Sequence, residues 1–569
     1  MNDSGIFSRF WRLLDLERKD LSYIYFYAFL SGIVNLSLPL GIQAIINLIQ
    51  GGEISTAWMV LVGVVIAGVA IVGTLQVFQL RIVENIRQKL FARSSFEFAY
   101  RFPRISLESI HSDFHPELAN RFFDTISLQK ALPKILIDFS LASLQILIGL
   151  ILLAFYHPFF IVYGLLLIGL VFLILRISGP SGLVSSLKES REKYQMAHWL
   201  EEVARALSVF KLTGNSRYPL NRTDAYLKGY IRNREAHFQV LMRQFIQFIG
   251  FKVLVAAGLL IIGSLLVFQG EMNIGQFVAA EIIIIIIISS VEKLILILEN
   301  VYDVLTSLEK IAQVTEKPLE HDGTVDLPKN YEGMSISTHH LDFSYPDSGR
   351  KIFDDLSLQI DKNEKVWITG PNGSGKSTLL RLLSGLYQPD KGDIKIDRLP
   401  LDSLNMSTYR SQIGVVLSPK VLFNGSLRDN ILVGRDLEGN YDLEWVIDMV
   451  DLKNWLSWQK QGLDTPIDPE TSKLPKSIVQ KILLARAVVN RPRLLLLEDP
   501  LEYVDQESKS RIIKNLFNLD FSCTIIIVSK DQVWMEHKPI IIDLDRGKLE
   551  WVNNGNETLL TSTEPKQDV

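Results

Sequence analysis

The chain has a single cysteine, Cys523, among 569 residues. One thiol excludes an intramolecular disulfide and any cysteine-based zinc site. It stands in the apolar run Cys523-Thr524-Ile525-Ile526-Ile527-Val528, where a thiol packs as a small hydrophobe in a core strand. Charge is also sparse. Asp, Glu, Lys and Arg make up 21% of the residues and the net charge is −4, so there is no basic footprint for a nucleic-acid partner. The segment before Ser22 is charged and polar and lacks a small-residue cleavage site, so no cleaved signal peptide is expected. Apolar residues, by contrast, are abundant at 48%, and mean hydropathy is positive. The length predicts at least two domains.

The apolar residues are concentrated in the first half. Six stretches, Ser22–Ile46, Thr56–Leu80, Leu132–Tyr156, Pro158–Ile177, Phe245–Phe268 and Ile274–Leu298, approach or exceed the roughly 20 residues needed to cross a bilayer. Buried helices of a large water-soluble domain would not supply so many in one block. Basic residues alternate between the connections. Arg9, Arg12, Arg18 and Lys19 precede the first span, and the 81–131 and 178–244 segments are rich in Lys and Arg. The turns 47–55, 156–158 and 269–273 carry neither. The positive-inside rule then predicts that both termini are cytoplasmic. The two long basic segments have helical patterning and extend the spans tens of Å into the cytoplasm at about 1.5 Å per residue. Asp138, Lys252, Glu281, Glu292 and Lys293 fall within spans, where an ionisable group faces a cavity or partner, or snorkels to the interface. Glu281, just before the run Ile282–Ile288, is a candidate for a translocation pathway or an inter-subunit contact. The isoleucine run is lipid-facing or packing material.

In the second half the nonapeptide Gly370-Pro371-Asn372-Gly373-Ser374-Gly375-Lys376-Ser377-Thr378 follows an apolar strand, Val366–Thr369, and opens a helix-like segment, Leu379–Leu383. This is the G-x-x-x-x-G-K-[ST] phosphate loop in its required strand–loop–helix setting. The glycines let backbone N–H groups converge on a polyphosphate at a helix N-terminus. Lys376 is placed to neutralise the β- and γ-phosphates, and the Ser377 hydroxyl to ligate Mg²⁺. A chance glycine-rich turn would not need both flanking elements. The implied ligand is a nucleoside triphosphate.

Around the loop, residues from Ser335 onward alternate short strands with helices, which predicts an α/β layered domain on a parallel sheet. The expected organisation is a six-span membrane domain over 1–315, a linker over 316–334, a nucleotide-binding domain over 335–552 and a polar tail over 553–569. Six helical spans followed by this α/β domain resemble a half-transporter of the ATP-binding cassette (ABC) exporters, over nearly the whole chain. The membrane half looks most similar to bacterial type I secretion and peptide exporters. The resemblance implies ATP and Mg²⁺ as cofactors and a multi-pass protein of the bacterial inner membrane. It also implies a second half-transporter chain as partner, in a homodimer or heterodimer, and leaves room for a periplasmic adaptor.

The resemblance also implies roles for particular residues. Tyr345, in Phe343-Ser344-Tyr345-Pro346, stands where the family stacks an aromatic ring on adenine, which needs only a π-face. Asp505 falls at the dimer-contact aspartate, and Leu422–Ile431 keeps the pattern after the glutamine loop. The departures fall on catalytic positions. Ser418 replaces the Mg²⁺-sensing glutamine. The glycine-rich signature that clamps the opposite subunit's ATP aligns with Leu474-Pro475-Lys476-Ser477-Ile478, without its glycines. In Leu497-Glu498-Asp499-Pro500 the two carboxylates are exchanged relative to the family order. Glu498 is then the Mg²⁺ ligand and Asp499 the group that polarises the attacking water, each displaced by one C–C bond, about 1.5 Å. Misplacement of about 1 Å costs on the order of a hundredfold in rate. Lys530 stands at the switch histidine; it supplies charge but accepts no hydrogen bond.

Two functional readings follow. One is an exporter half that couples ATP binding and slow hydrolysis to export of an unknown substrate. The other is an ATP-binding, essentially non-hydrolysing membrane subunit that regulates or scaffolds a partner transporter. A water-soluble P-loop enzyme fits poorly, given the six-span block, and so does a cation channel, since no selectivity-filter pattern is evident.

Overall fold

The structure is a computed structural model that describes residues 3–50, 56–111, 115–214, 216–346, 348–435, 443–469, 474–545 and 548–552. The tail expected over 553–569 lies outside the described residues. The chain forms two compact units, Met1–Pro103 with Asp113–Lys317, and Arg104–Ser112 with Pro318–Val569.

The first unit is helical: α1 (Asp3–Leu16), α2 (Arg18–Asn35), α3 (Ser37–Gln50), α4 (Thr56–Arg101), α5 (His115–Asn120), α6 (Asp124–Tyr156), α7 (Phe159–Arg205), α8 (Leu207–Leu212), α9 (Tyr218–Phe268) and α10 (Ile274–Thr315). Local chemistry sets the turns. His157 is extended (φ −161°) and stops α6, and Pro158 leads into α7. The Asn273 side chain accepts from the Gln276 N–H (2.8 Å) while the Gln276 side chain accepts from the Asn273 N–H (2.9 Å), a capping box that starts α10.

Five helical stretches among the described residues are long and apolar enough to cross a membrane: Arg18–Ile49, Thr56–Arg104, Glu117–Tyr156, Phe159–Arg205 and Tyr218–Phe268. The sixth expected span, Ile274–Leu298, is not among them. It forms the first part of α10, which packs chiefly on α6. Ile283, Ile284 and Ile287 are each 1% exposed, so much of the isoleucine run is packing material, with Ile285 turned outward. Of the ionisable residues in the apolar stretches, Lys252 is exposed, and Asp138, Glu281, Glu292 and Lys293 are half-buried.

The second unit is built on two main sheets. The strands are β1 (Ile336–Ser344), β2 (Lys351–Ile360), β3 (Lys365–Thr369), β4 (Lys391–Ile396), β5 (Leu399–Pro400), β6 (Ile413–Val416), β7 (Gly425–Ser426), β8 (Pro466–Ile467), β9 (Leu494–Glu498), β10 (Thr524–Val528), β11 (Ile540–Asp545) and β12 (Lys548–Val552). An antiparallel sheet runs β2-β1-β4-β5, and a six-stranded sheet runs β12-β11-β3-β10-β9-β6. In the latter only β12 is antiparallel to its neighbour. Every residue of β9 and β10 is buried, as continuous apolar runs require when both faces of a parallel sheet are covered. Cys523 is buried beside them, as its apolar run predicts.

Parallel register brings strand ends together. Val528 pairs with both Ile368 and Glu498, and Leu497 with Val416. The phosphate loop after β3, Lys530 after β10, Glu498-Asp499 at the end of β9 and Ser418 after β6 therefore meet along one edge. In open α/β sheets this carboxyl edge is where ligands bind.

Two features of this unit were not legible in the sequence. The segment Arg104–Ser112, from the first long basic connection, belongs here. Its Ile105 bridges Leu319, and Gln388 N donates to Glu108 Oε1 (2.9 Å). The stretch expected as a polar linker contributes Leu327 and Met334 to the core.

Arg493 ties that stretch to the sheet. Its guanidinium pairs with Asp397 and donates to the Glu332 carbonyl (2.7 Å) and Gln412 Oε1 (3.2 Å). Arg493 is buried and Asp397 half-buried, so removing the guanidinium leaves the carboxylate partly to water, and Arg493→Ala is expected to cost about 2 kcal/mol of stability. Denaturant or thermal unfolding of the full chain in detergent checks this; a loss under about 0.5 kcal/mol would refute it.

Candidate nucleotide site

The phosphate loop closes between β3 and α11 (Lys376–Leu383). Gly370 has φ +134°, and a Cβ there would stand 2.2 Å from the Leu544 carbonyl oxygen, so only glycine fits. Gly375 has φ +105°, and a Cβ would meet Phe353 at 2.7 Å. The backbone can therefore turn its N–H groups inward while packed tightly from behind.

The Lys376 ammonium folds onto its own loop. It donates to the carbonyls of Gly370 (2.8 Å) and Pro371 (2.7 Å) and to Ser374 Oγ (3.2 Å). Burial and then the nearby Lys530 charge depress its pKa, against the opposing pull of Asp499 and Asp543. The Ser377 hydroxyl donates to Glu498 Oε1, and the other Glu498 oxygen accepts the Ser418 N–H at 2.8 Å. Both Glu498 oxygens thus have donors, and the residue is buried.

Asp499 is in the left-handed region (φ +41°), a conformation aspartate tolerates better than most residues. Its N–H donates to the Val528 carbonyl (2.8 Å), and its own carbonyl accepts from Lys420 Nζ (2.6 Å) and Gln480 Nε2 (3.3 Å). A cleft of roughly 240 Å³ is lined by Asn372, Gly373, Gly375, Lys376, Ser377 and Thr378 on one side and by Glu498, Asp499 and Lys530 on the other. The structure thus brings these predicted residues into one place, with a hydroxyl and a carboxylate side by side and two ammonium groups nearby.

That donor set fits Mg²⁺, a hard cation held through oxygen and typically by one or two carboxylates plus phosphate. Ser377 and Glu498 would hold it. Among the described residues no group of three or more His, Cys, Asp or Glu side chains could hold a metal ion.

Tyr345, Asp505 and Lys476 are not among the residues that line the cleft. The Tyr345 hydroxyl is 3.1 Å from Thr378 Oγ1 and accepts from Arg381 Nη1 (2.9 Å), so it joins the loop's last residue rather than lining the cleft. Asp505 accepts from the Ser508 N–H (2.9 Å), capping a helix over Gln506–Phe517. Lys476 is the first residue of a helix over Lys476–Val488, and its ammonium lies 4.4 Å from the Tyr503 ring centroid. Lys420, Gln480 and Arg381 were not singled out from the sequence. They are single polar residues in unremarkable surroundings, and only the fold brings them to the site.

A sequence-family model described as ABC transporter matches residues 353–502, and a model for the ABC transporter transmembrane region matches residues 21–291. The chain belongs to the ABC transporters. Its helical half carries the ABC transporter transmembrane region and its α/β half the ABC transporter ATP-binding domain. The alpha-hemolysin translocation ATP-binding protein HlyB of Escherichia coli is 28% identical over 372 residues, 65% of this chain and 52% of that protein. The leukotoxin export ATP-binding protein LtxB of Aggregatibacter actinomycetemcomitans is 29% identical over 358 residues, 62% of this chain and 50% of that protein. A multidrug resistance ABC transporter ATP-binding and permease protein of Lactococcus lactis subsp. lactis is 28% identical over 319 residues, 55% of this chain and 52% of that protein. The chain spans about half the length of these curated relatives. The fold is also similar to that of a bacterial Atm1-family ABC exporter with ATP bound, with TM-score 0.83 and 20% identity over 94% of this chain and 95% of that one.

Proposed function

We propose that this ABC transporter chain is an exporter half that binds MgATP and hydrolyses it slowly. One observation carries the reading: Lys376, Ser377 and Glu498 meet in a single cleft at the carboxyl edge of the sheet. The slowness is inferred from the family resemblance, which implies exchanged or replaced residues at the neighbouring hydrolytic positions. Lys376 would hold the β- and γ-phosphates, Ser377 and Glu498 the metal, and Tyr345 the base. The metal supplies charge neutralisation of the phosphates. Asp499 would polarise water from a carboxylate one methylene short of the family's, and Lys530 would add charge at the γ-phosphate. The proposed partner is a second half-transporter chain, identical or different. A periplasmic adaptor is proposed as a further partner on the family resemblance alone. Both termini are proposed to lie in the cytoplasm of a bacterial cell, with the helices in the inner membrane.

A second reading, a non-hydrolysing ATP-dependent scaffold, draws on one observation. Lys476, in the signature segment, rests on the Tyr503 ring, and neither glycine of the family signature is present. Phosphate release by the full chain in liposomes separates the two. Turnover below about 1 s⁻¹ that disappears in Lys376→Ala supports the first. Tight ATP binding without phosphate release supports the second. Fast release, or release indifferent to Lys376→Ala, would remove both.

A further inference from the structure

The proposed base platform already has an occupant. The His111 ring lies 5.1 Å from the Tyr345 ring at an interplanar angle of 12°. Phe343 and Tyr387 meet the same ring at 81° and 90°. Among the described residues His111 is therefore the one parallel partner of Tyr345. A second contact steadies it, with Nδ1 3.3 Å from the Tyr387 hydroxyl. His111 is itself exposed and sits in a turn at the end of the segment Arg104–Ser112.

A purine stacks on tyrosine in the same parallel, offset geometry as an imidazole. A 5.1 Å separation between ring centres leaves no space for a base between the two rings. We propose that His111 sets nucleotide affinity by occupying the stacking face of Tyr345, so that a purine must displace it. This rests on the reading of Tyr345 as the base platform. Neither His111 nor Tyr345 lines the cleft around the phosphate loop, so the competition is expected to act on the base alone. Displacement would also free a segment that the chain connects directly to α4. Base arrival, rather than phosphate arrival, is then what releases it.

The test uses the full chain in nanodiscs, with ATP and inorganic tripolyphosphate as probes. Removing the competitor in His111→Ala is expected to tighten ATP binding about three- to tenfold, the strength of one aromatic contact, and to leave tripolyphosphate binding unchanged. His111→Phe keeps a competing ring and should stay within about twofold of wild type. Hydrogen exchange over residues 104–112 should rise with ATP and not with tripolyphosphate. Weaker or unchanged ATP binding in His111→Ala, or an equal shift for tripolyphosphate, would overturn the proposal and leave phosphate binding intact. Wild-type protein that binds neither probe would overturn the nucleotide reading, and this proposal with it.

Discussion

Lys376→Ala is expected to weaken ATP binding by about a hundredfold. The ammonium is satisfied by two carbonyls and the Ser374 hydroxyl of its own loop, so binding exchanges neutral acceptors for charged phosphate oxygens. Hydrogen bonds to charged partners contribute roughly 1.5–3 kcal/mol in net terms, a factor of about 10 to 150. The upper part of that range is appropriate because burial and Lys530 already disfavour the lone ammonium, and a polyanion relieves both. The same physics gives a pH signature. Burial and the Lys530 charge depress the Lys376 pKa, and a bound phosphate would raise it. At a pH between the two values binding takes up a proton, and affinity falls as pH rises through the depressed value. Calorimetry in two buffers of different ionisation heat measures that uptake, which Lys376→Ala should abolish. Tripolyphosphate should lose as much affinity as ATP, because the lysine faces phosphate and not the base. A change below about threefold would mean that the loop does not grip phosphate through this residue.

The parts of the site that were legible in the sequence are those written locally. The phosphate loop carries its glycines, lysine and hydroxyl within nine consecutive residues, between a strand and a helix that the sequence also shows. Glu498 and Asp499 could be found because they end a run of four leucines, the pattern of a strand covered on both faces. The rest depends on distant residues meeting. Nothing near Lys420 predicts that its ammonium will hold the Asp499 carbonyl across 79 positions, or near His111 that it will stack on Tyr345. Residues 104–112 read as one part of a long basic connection, and only the fold shows that they belong with the α/β unit. The Ile282–Ile288 run was ambiguous for a different reason. A helix apolar on every side has no periodicity to tell packing from lipid, and only the packing on α6 settles which isoleucines are buried. The left-handed backbone at Asp499 was equally invisible, since aspartate is at home in ordinary strand ends and turns as well.

Exchanging the carboxylates, Glu498→Asp with Asp499→Glu, is expected to raise ATP turnover up to about a hundredfold over that of the wild-type chain, if hydrolysis is slow as proposed. At present Glu498 spans from the Ser377 hydroxyl to the Ser418 N–H. An aspartate, shorter by about 1.5 Å, cannot keep both, and would leave the Ser418 N–H to water or to phosphate. At 499 the added methylene carries the carboxylate outward from a backbone fixed by Val528, Lys420 and Gln480, into the cleft that Lys530 also lines. The two single variants separate the roles. If Asp499 polarises water, Asp499→Glu alone should supply most of the gain without shifting the Mg²⁺ concentration for half-maximal turnover. If Glu498 holds the metal, Glu498→Asp alone should shift that concentration and change turnover less. The gain should come with a small loss of stability. Glutamate lacks the short side chain that eases a left-handed backbone, so position 499 should lose about 1 kcal/mol. The signature segment stays as it is in every variant, so differences in turnover report on the carboxylates alone. If the double exchange melts earlier, as strain at 499 requires, and yet turns over no faster, the chemistry is not limited by where these two carboxylates stand, and their assigned roles are wrong.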